Sequence, residues 1–183
     1  SVAGVEEALL AALLADAGLT MDDIELINVN WSLSPSLMSG QVDAVIGAYR
    51  NFELNQMELE EVEGRCMFLE EMGVPSYDEL IYVANPDTAD MDAIARFLRA
   101  TEKATQYIVN HPDDAWAIFS STSADLQDEL NAMAWTDTIP RFALRPAALD
   151  HGRYRAFSAF LENAGLIDAV QPVADLAIDP AAQ

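Results

Sequence analysis

Apolar residues recur every three or four positions over most of the chain, a spacing typical of helices with one buried face. The pattern predicts helices over residues 5–17, 35–40, 54–63, 90–110, 112–119, 124–135 and 150–164. Several ends agree with capping preferences, since Gly18 and Gly165 suit helix C-termini and Asp150 suits an N-cap. The second half of the chain is therefore expected to be mostly helical.

Shorter apolar runs between these helices have the length of β-strands. They cover residues 24–31, 42–46, 66–69 and 79–84. An alternation of helices with strands implies right-handed β-α-β units around a parallel sheet. We therefore predict an α/β fold, with an α/β portion at residues 1–75 and a mostly helical continuation at residues 76–183.

The charged residues are strongly unbalanced, with 9 lysines and arginines against 31 aspartates and glutamates and a formal net charge of −22. Nucleic acid and anionic membrane surfaces are poor partners for this chain, because both are bound through clustered cations. No apolar run reaches the roughly 20 residues that a membrane-spanning helix needs. Two histidines and one cysteine, Cys66, argue against a zinc site and exclude a disulfide within the chain. We assign the chain neither a metal nor a cofactor.

Candidate chemistry is concentrated directly after the strand predicted at residues 42–46. Ligands of open α/β sheets bind beyond the carboxyl ends of the strands. Here Tyr49 offers a flat π face, Asn51 offers a donor and an acceptor, and Glu53 offers two acceptor oxygens. Such a set suits a small heteroaromatic ligand with an amidine-like edge. The alternative is structural: Tyr49 packs, and Glu53 begins a helix.

Two other places are weaker candidates for the same binding site. The small-residue loop from Ser1 to Gly4 precedes a predicted helix, whose unpaired N–H groups can meet a polar ligand edge, although simple capping also explains it. Trp31 ends its predicted strand and can line the cleft or lie in the core. The chain contains no G-x-S-x-G, H-E-x-x-H or P-loop motif, so we predict that it is not an enzyme.

Four motifs carry a resemblance to a known family. They are SLMSGQVDAVIGAYRNFE at residues 36–53, GVPSYDELI at 73–81, RFLRA at 96–100 and HPDDAW at 111–116. Together they resemble solute-binding proteins of ABC importers, in the thiamine-pyrimidine branch known as NMT1/THI5-like. The L-x-x-G-x-V-D-A part is shared by many solute-binding proteins, whereas the run at 49–53 joined to the motif at 73–80 is more specific.

The resemblance implies a two-lobed, type II periplasmic-binding-protein fold, of which this chain is a C-terminal fragment lacking the N-terminal lobe segment. It implies binding of formylaminopyrimidine or hydroxymethylpyrimidine by lobe closure and delivery to an ABC permease in the membrane. Glu53 then accepts from the aminopyrimidine edge, Tyr49 stacks, Asn51 hydrogen-bonds, and the loop from Ser1 to Gly4 adds backbone contacts. We expect a monomer in the periplasm or another extracytoplasmic location. A lipid anchor on the absent N-terminal segment is compatible with that location.

Two alternatives stay open. A pyrimidine-synthase-like enzyme of the same fold predicts metal dependence and a histidine in the unseen lobe, but Cys66 stands alone where the fungal enzymes carry a cysteine cluster. A receptor for another small ligand, such as riboflavin or a sulfonate, is the other alternative. Anionic ligands fit poorly beside Glu53 because the carboxylate repels them, whereas a flavin is compatible with stacking and an acceptor.

Overall fold

A computed structural model describes residues 4–85 and 87–178, and the described part is helical. The α-helices are α1 (Val5–Asp16), α2 (Leu33–Met38), α3 (Glu53–Leu59), α4 (Met91–Asn110), α5 (Pro112–Ser120), α6 (Glu129–Thr138), α7 (His151–Asn163) and α8 (Val173–Leu176). Single 3-10 turns lie at Met21–Asp23, Leu69–Glu71, Ala124–Leu126 and Ile139–Arg141. Among the described residues, no helix combines the length and apolarity that a bilayer crossing requires.

Each predicted helix has a helical counterpart, but the one predicted at 54–63 ends at Leu59 and the one predicted at 35–40 is Leu33–Met38. Several other ends are confirmed. Asp150 caps α7 by accepting a hydrogen bond from the backbone N–H of Arg153 at 3.0 Å. At the other end, Gly165 adopts φ +71° and the Leu166 N–H donates to the Leu161 carbonyl at 2.9 Å, which closes the helix. One predicted helix, at residues 124–135, is divided into a 3-10 turn and α6, because Asp128 caps a new start.

The chain folds into two compact units. The first contains the described residues up to Glu79 together with Asp150–Ala177. Its buried apolar side chains are Leu9, Leu14, Met57, Val74 and Val173. The predicted boundary between residues 75 and 76 stays a prediction, and the N-terminal part of this unit ends four positions later.

The second unit contains Leu80–Leu149, apart from residue 86, together with Ile178. Helix α4 packs against α5 in this unit, and three aromatic rings of α5 and α6 form a cluster. The Trp116 and Trp135 ring centroids are 5.6 Å apart, and Phe119 stacks on Trp135 at 5.3 Å. Ala115 and Ala134 are buried within this unit.

The four predicted strands require a correction. None of the described residues belongs to a β-strand, so the parallel sheet of the expected α/β fold is absent from the part of the chain that the structure describes. Residues 80–84 make no backbone hydrogen bond to another described residue. Residues 24–31 end in a turn, where the Ser32 N–H donates to the Val29 carbonyl at 3.1 Å.

The difference has a physical reason. A helix forms its backbone hydrogen bonds within one segment, whereas a strand forms them with a neighbouring strand, which a single-segment pattern does not specify. The apolar side chains of residues 80–83 are exposed instead, with Leu80 82% exposed and Val83 85% exposed, whereas Ile46 and Phe68 in the other runs are half-buried. The short apolar runs therefore indicate segments that could pair as β-strands, but they do not show which segment each would pair with.

Candidate ligand-binding site

The predicted site residues Tyr49, Asn51 and Glu53 lie together in one tight turn at the start of α3. Gly47 enters the turn with φ +90°, a conformation that favours glycine because it has no Cβ. The Tyr49 carbonyl accepts from the N–H groups of Phe52 at 3.0 Å and Glu53 at 3.1 Å. The three predicted residues are thus part of one hydrogen-bonded turn, which leads directly into α3 at Glu53.

The Glu53 carboxylate closes the turn. Its Oε2 accepts a hydrogen bond from the Tyr49 backbone N–H at 2.6 Å. The structural interpretation that Glu53 begins a helix is thus confirmed. A carboxylate has about four lone-pair sites, and among the described residues Oε1 accepts no hydrogen bond. The side chain can therefore support the turn and still accept from a bound molecule.

Tyr49 and Asn51 differ in their surroundings. Tyr49 is 46% exposed, so much of its ring faces solvent. Asn51 is half-buried, and its backbone carbonyl accepts from the Asn55 side-chain amide at 3.1 Å. Asn55 is itself buried in α3. The ligand-binding role of all three predicted residues stays a prediction.

Arg50 anchors the same turn to a second segment. Its guanidinium forms a two-pronged ion pair with Glu70, Nη1 to Oε1 at 2.8 Å and Nη2 to Oε2 at 3.0 Å. The Arg50 Cζ also lies 4.1 Å from the centre of the Phe68 ring. The hydrogen bond from Arg50 lowers the pKa of the Glu70 carboxyl, and Glu70 in turn raises the pKa of Arg50. Both groups are therefore charged over the physiological pH range.

The GVPSYDEL motif is fixed on α7. Val74 is 3% exposed. The Tyr77 ring stacks on Phe157 with 4.3 Å between centroids and 11° between planes. Asp78 forms an ion pair with Arg153. The pKa of Tyr77 is raised by burial first, and then by the charge of Glu79 and by Tyr49.

The remaining predicted site residues are not brought to this turn by any contact of the described residues. Ser1 lies outside the described residues. Gly4 precedes α1 with φ +91°, and a Cβ there would meet Leu166 Cδ2 at 3.0 Å. Trp31 is 95% exposed. The interpretation of Trp31 as a core residue is therefore wrong for the described structure, while its ligand role stays a prediction.

Two open depressions lie elsewhere in the first unit. One, of about 480 Å³, is lined by His151, Arg155 and residues 170–174. The other, of about 440 Å³, lies beside Leu54, Glu58 and residues 61–64. Neither contains a predicted site residue. The described part of the chain also brings no three His, Cys, Asp or Glu side chains together in a way that could hold a metal ion.

Sequence reasoning missed the residues that support the site. Arg50 stands inside the family motif, but its partner Glu70 is 20 positions away, and Asp78 is 75 positions from Arg153. One signal was present: the chain has only 9 lysines and arginines. A cation next to candidate ligand residues in so acidic a chain is a candidate for a specific ion pair.

Comparisons with known proteins agree with the motifs. A family model described as NMT1/THI5 like matches residues 1–115. A protein of Haemophilus influenzae whose name assigns it to thiamine biosynthesis is 48% identical over 180 residues, which are 98% of this chain and 57% of that protein. The match includes both the turn at residues 49–53 and the motif at residues 73–80.

Of two more distant relatives, one is named as a binding protein and the other as an enzyme. A formylaminopyrimidine-binding protein of Halalkalibacterium halodurans is 31% identical over 129 residues, 69% of this chain and 38% of that protein. A 4-amino-5-hydroxymethyl-2-methylpyrimidine phosphate synthase of Candida albicans is 28% identical over 128 residues, 62% of this chain and 37% of that protein. The chain thus spans little more than half of one relative and under two fifths of the other two. Because the family model covers well over half of its residues, the chain belongs to the NMT1/THI5-like family.

Proposed function

We propose that the protein is the substrate-binding component of an ABC importer and binds a thiamine pyrimidine precursor of the formylaminopyrimidine or hydroxymethylpyrimidine type. The turn at residues 49–53 carries this proposal. It carries the partly exposed ring of Tyr49 and a carboxylate, Glu53, that is held by the Tyr49 backbone N–H and has an oxygen without a partner among the described residues. An aromatic face and a carboxylate acceptor are the two groups that a flat, amino-substituted ring requires.

The chemistry of the ligand matches this pair of groups. The exocyclic amine of an aminopyrimidine donates N–H groups in the plane of the ring, and the ring stacks on an aromatic face. Glu53 accepts in that plane, and the hydrogen bond is strengthened by the carboxylate charge, more so when a ring nitrogen is protonated. Tyr49 covers the face, and Asn51 supplies a further donor or acceptor.

The relatives' names support the ligand class more strongly than the transport role. One relative is named for binding formylaminopyrimidine and another for making a related pyrimidine phosphate. Binding by closure of two lobes, a monomeric state, a permease partner and a periplasmic or other extracytoplasmic location belong to the proposal through the solute-binding resemblance. In this mechanism, ligand contacts from both lobes favour the closed state, so affinity and closure are linked.

The synthase relative supports a second candidate, a pyrimidine-synthase-like enzyme. The two candidates differ in what happens to the pyrimidine. A receptor returns the bound molecule unchanged, whereas a synthase releases a pyrimidine phosphate that was not added. Mass spectrometry after incubation in a cell extract, which supplies the phosphate and the precursors that such a product needs, distinguishes them when run with and without added ferrous or zinc ions and compared with the same extract lacking the protein. Recovery of the added pyrimidine alone supports the receptor, and a new pyrimidine phosphate supports the enzyme.

The central experiment is calorimetric titration of the full-length protein with 4-amino-5-hydroxymethyl-2-methylpyrimidine and with formylaminopyrimidine. We expect Glu53→Gln to weaken binding by about 1.5–3 kcal/mol, the usual contribution of a hydrogen bond to a charged group. The substitution is selective, because the glutamine carbonyl can still accept from the Tyr49 N–H and preserve the turn.

Glu58→Gln is the matched control, since Glu58 lies on the same helix and is exposed. It removes the same charge from α3 and is expected to leave affinity unchanged. Riboflavin and taurine serve as alternative ligands in the same titration. Equal affinity of wild type and Glu53→Gln for the pyrimidines would remove Glu53 from the site, and tighter binding of riboflavin would change the ligand assigned to it.

A further inference from the structure

The turn with the candidate ligand groups is joined to the rest of its unit through Arg50. Arg50 directly follows Tyr49, whose N–H donates to Glu53. Its guanidinium meets both oxygens of Glu70 at 2.8 and 3.0 Å. Two parallel hydrogen bonds fix the plane of the guanidinium as well as its position, which a single contact does not.

The segment that carries Glu70 is itself held by backbone hydrogen bonds. Phe68 and Glu70 both belong to the short stretch around the 3-10 turn Leu69–Glu71, whose geometry is closed by the Glu71 N–H donating to the Phe68 carbonyl at 3.0 Å. The Val74 N–H donates to the Leu69 carbonyl at 3.2 Å, and the Val74 side chain is buried. The guanidinium therefore lies over the Phe68 ring and against Glu70 at the same time.

The charges matter as much as the geometry. Both guanidinium prongs of Arg50 are taken up by Glu70, so this cation is not available to pair with Glu53. Without Glu70, an unpaired guanidinium would lie in the same turn as Glu53 and compete with the ligand for that carboxylate. The ion pair thus both orients the turn and preserves its acceptor.

We propose that Arg50, through its two-pronged pair with Glu70, is a positioning residue that sets the selectivity of Glu53 for a ring carrying an amino group. This inference rests on the proposed function. It adds that selectivity depends on a residue that does not touch the ligand. Lysine at position 50 keeps the charge but loses the planar fork, so Arg50→Lys isolates the geometry.

The test compares two ligands rather than one. The first is 4-amino-5-hydroxymethyl-2-methylpyrimidine, and the second is its analogue without the 4-amino group. We expect Arg50→Lys and Glu70→Gln each to weaken binding of the amino compound by about fivefold, the upper range for a well-formed exposed ion pair. The analogue cannot use Glu53 in the same way, and its affinity should change by less than a factor of about two.

The control is Arg65→Lys, an exposed arginine of the same unit with no ion pair among the described residues. It should change neither affinity. Circular dichroism confirms that each variant is folded, and Glu70→Gln provides a second variant if Arg50→Lys is poorly folded. Exchange of the Tyr49 amide gives a readout without ligand, and we expect it to accelerate in both variants.

The outcomes separate the two proposals. If wild type binds neither compound, the proposed function fails, and the inference fails with it. If wild type binds the amino compound and both variants bind it equally well, the inference alone is wrong. Equal weakening for both ligands also overturns the inference, because it shows a general structural effect rather than positioning of Glu53.

Discussion

The turn at residues 49–53 and the segment at residues 80–84 are both short, yet they are held very differently. In the turn, backbone groups bond within five residues, and Arg50 adds an ion pair to Glu70. The segment makes no backbone hydrogen bond to another described residue, although its apolar side chains are exposed. The hydrogen bonds and the ion pair that hold the turn are all formed within the described residues. The segment at 80–84 has a strand-like sequence, but its backbone has no hydrogen-bonding partner among them.

The largest expected effect on this comparison comes from truncating a buried side chain. Met57, on the helix that follows the turn, is 5% exposed, and Met57→Ala should lower the free energy of unfolding by about 2–5 kcal/mol because it leaves a cavity. Val83→Ala, in the exposed segment, should change it by less than about 0.5 kcal/mol. Urea unfolding followed by circular dichroism measures both. Comparable losses would show that the segment is packed as firmly as the turn.

The boundary of the exposed segment gives a second, intermediate test. Asp90 begins α4 by accepting a hydrogen bond from the Ala93 N–H at 3.0 Å. Asp90→Ala should cost about 1 kcal/mol of stability, the usual effect of losing an N-cap, whereas Asp90→Asn keeps the acceptor and should cost little. Amide exchange at the first turn of α4 is the local measurement. Equal exchange in the two variants would mean that the cap does not determine where order begins.

The smallest expected effect is the pH dependence of the Arg50–Glu70 pair. The hydrogen bond from Arg50 holds the pKa of Glu70 below its ordinary value of 4.5. The stability from the pair is therefore complete above that value and is lost as the pH falls through the lowered, folded-state pKa. Because the two side chains are 34% and 41% exposed, solvent screening limits the contribution to about 0.5 kcal/mol.

This effect is measured as the difference in urea midpoint between wild type and Glu70→Gln across a pH series. The difference should be present at neutral pH and disappear in acid, once Glu70 is protonated in both the folded and unfolded states. Glu71→Gln is the control, since its carboxylate makes no hydrogen bond among the described residues. A difference that grows toward acid pH would contradict the assigned role of the pair.

The sequence determined the parts of this structure whose bonds are local. Asp150 and Gly165 act on groups within a few residues of themselves, so their capping roles could be predicted. The turn from Tyr49 to Glu53 is equally local, and its candidate residues do lie together. The strands predicted at 24–31 and 79–84 are not formed among the described residues, because a strand depends on backbone partners from another segment, which the local pattern does not specify.

Long-range polar contacts set the other limit on prediction. Nothing in the spacing of Arg50 and Glu70, or of Asp78 and Arg153, connects one residue to the other. Their pairing depends on the tertiary arrangement of Leu69–Glu71 and of α7. The same holds for the stacking of Tyr77 on Phe157, which requires a helix from the C-terminal part of the chain.

The exposure of Trp31 has a practical consequence for spectroscopy. Its indole is almost wholly in water, whereas Trp116 and Trp135 are packed against each other in an aromatic cluster. Its fluorescence should therefore lie at longer wavelength than theirs and be quenched readily by small solutes. A molecule that covers Trp31 will shift its emission to shorter wavelength. Tryptophan fluorescence therefore measures binding at this side chain without an added label.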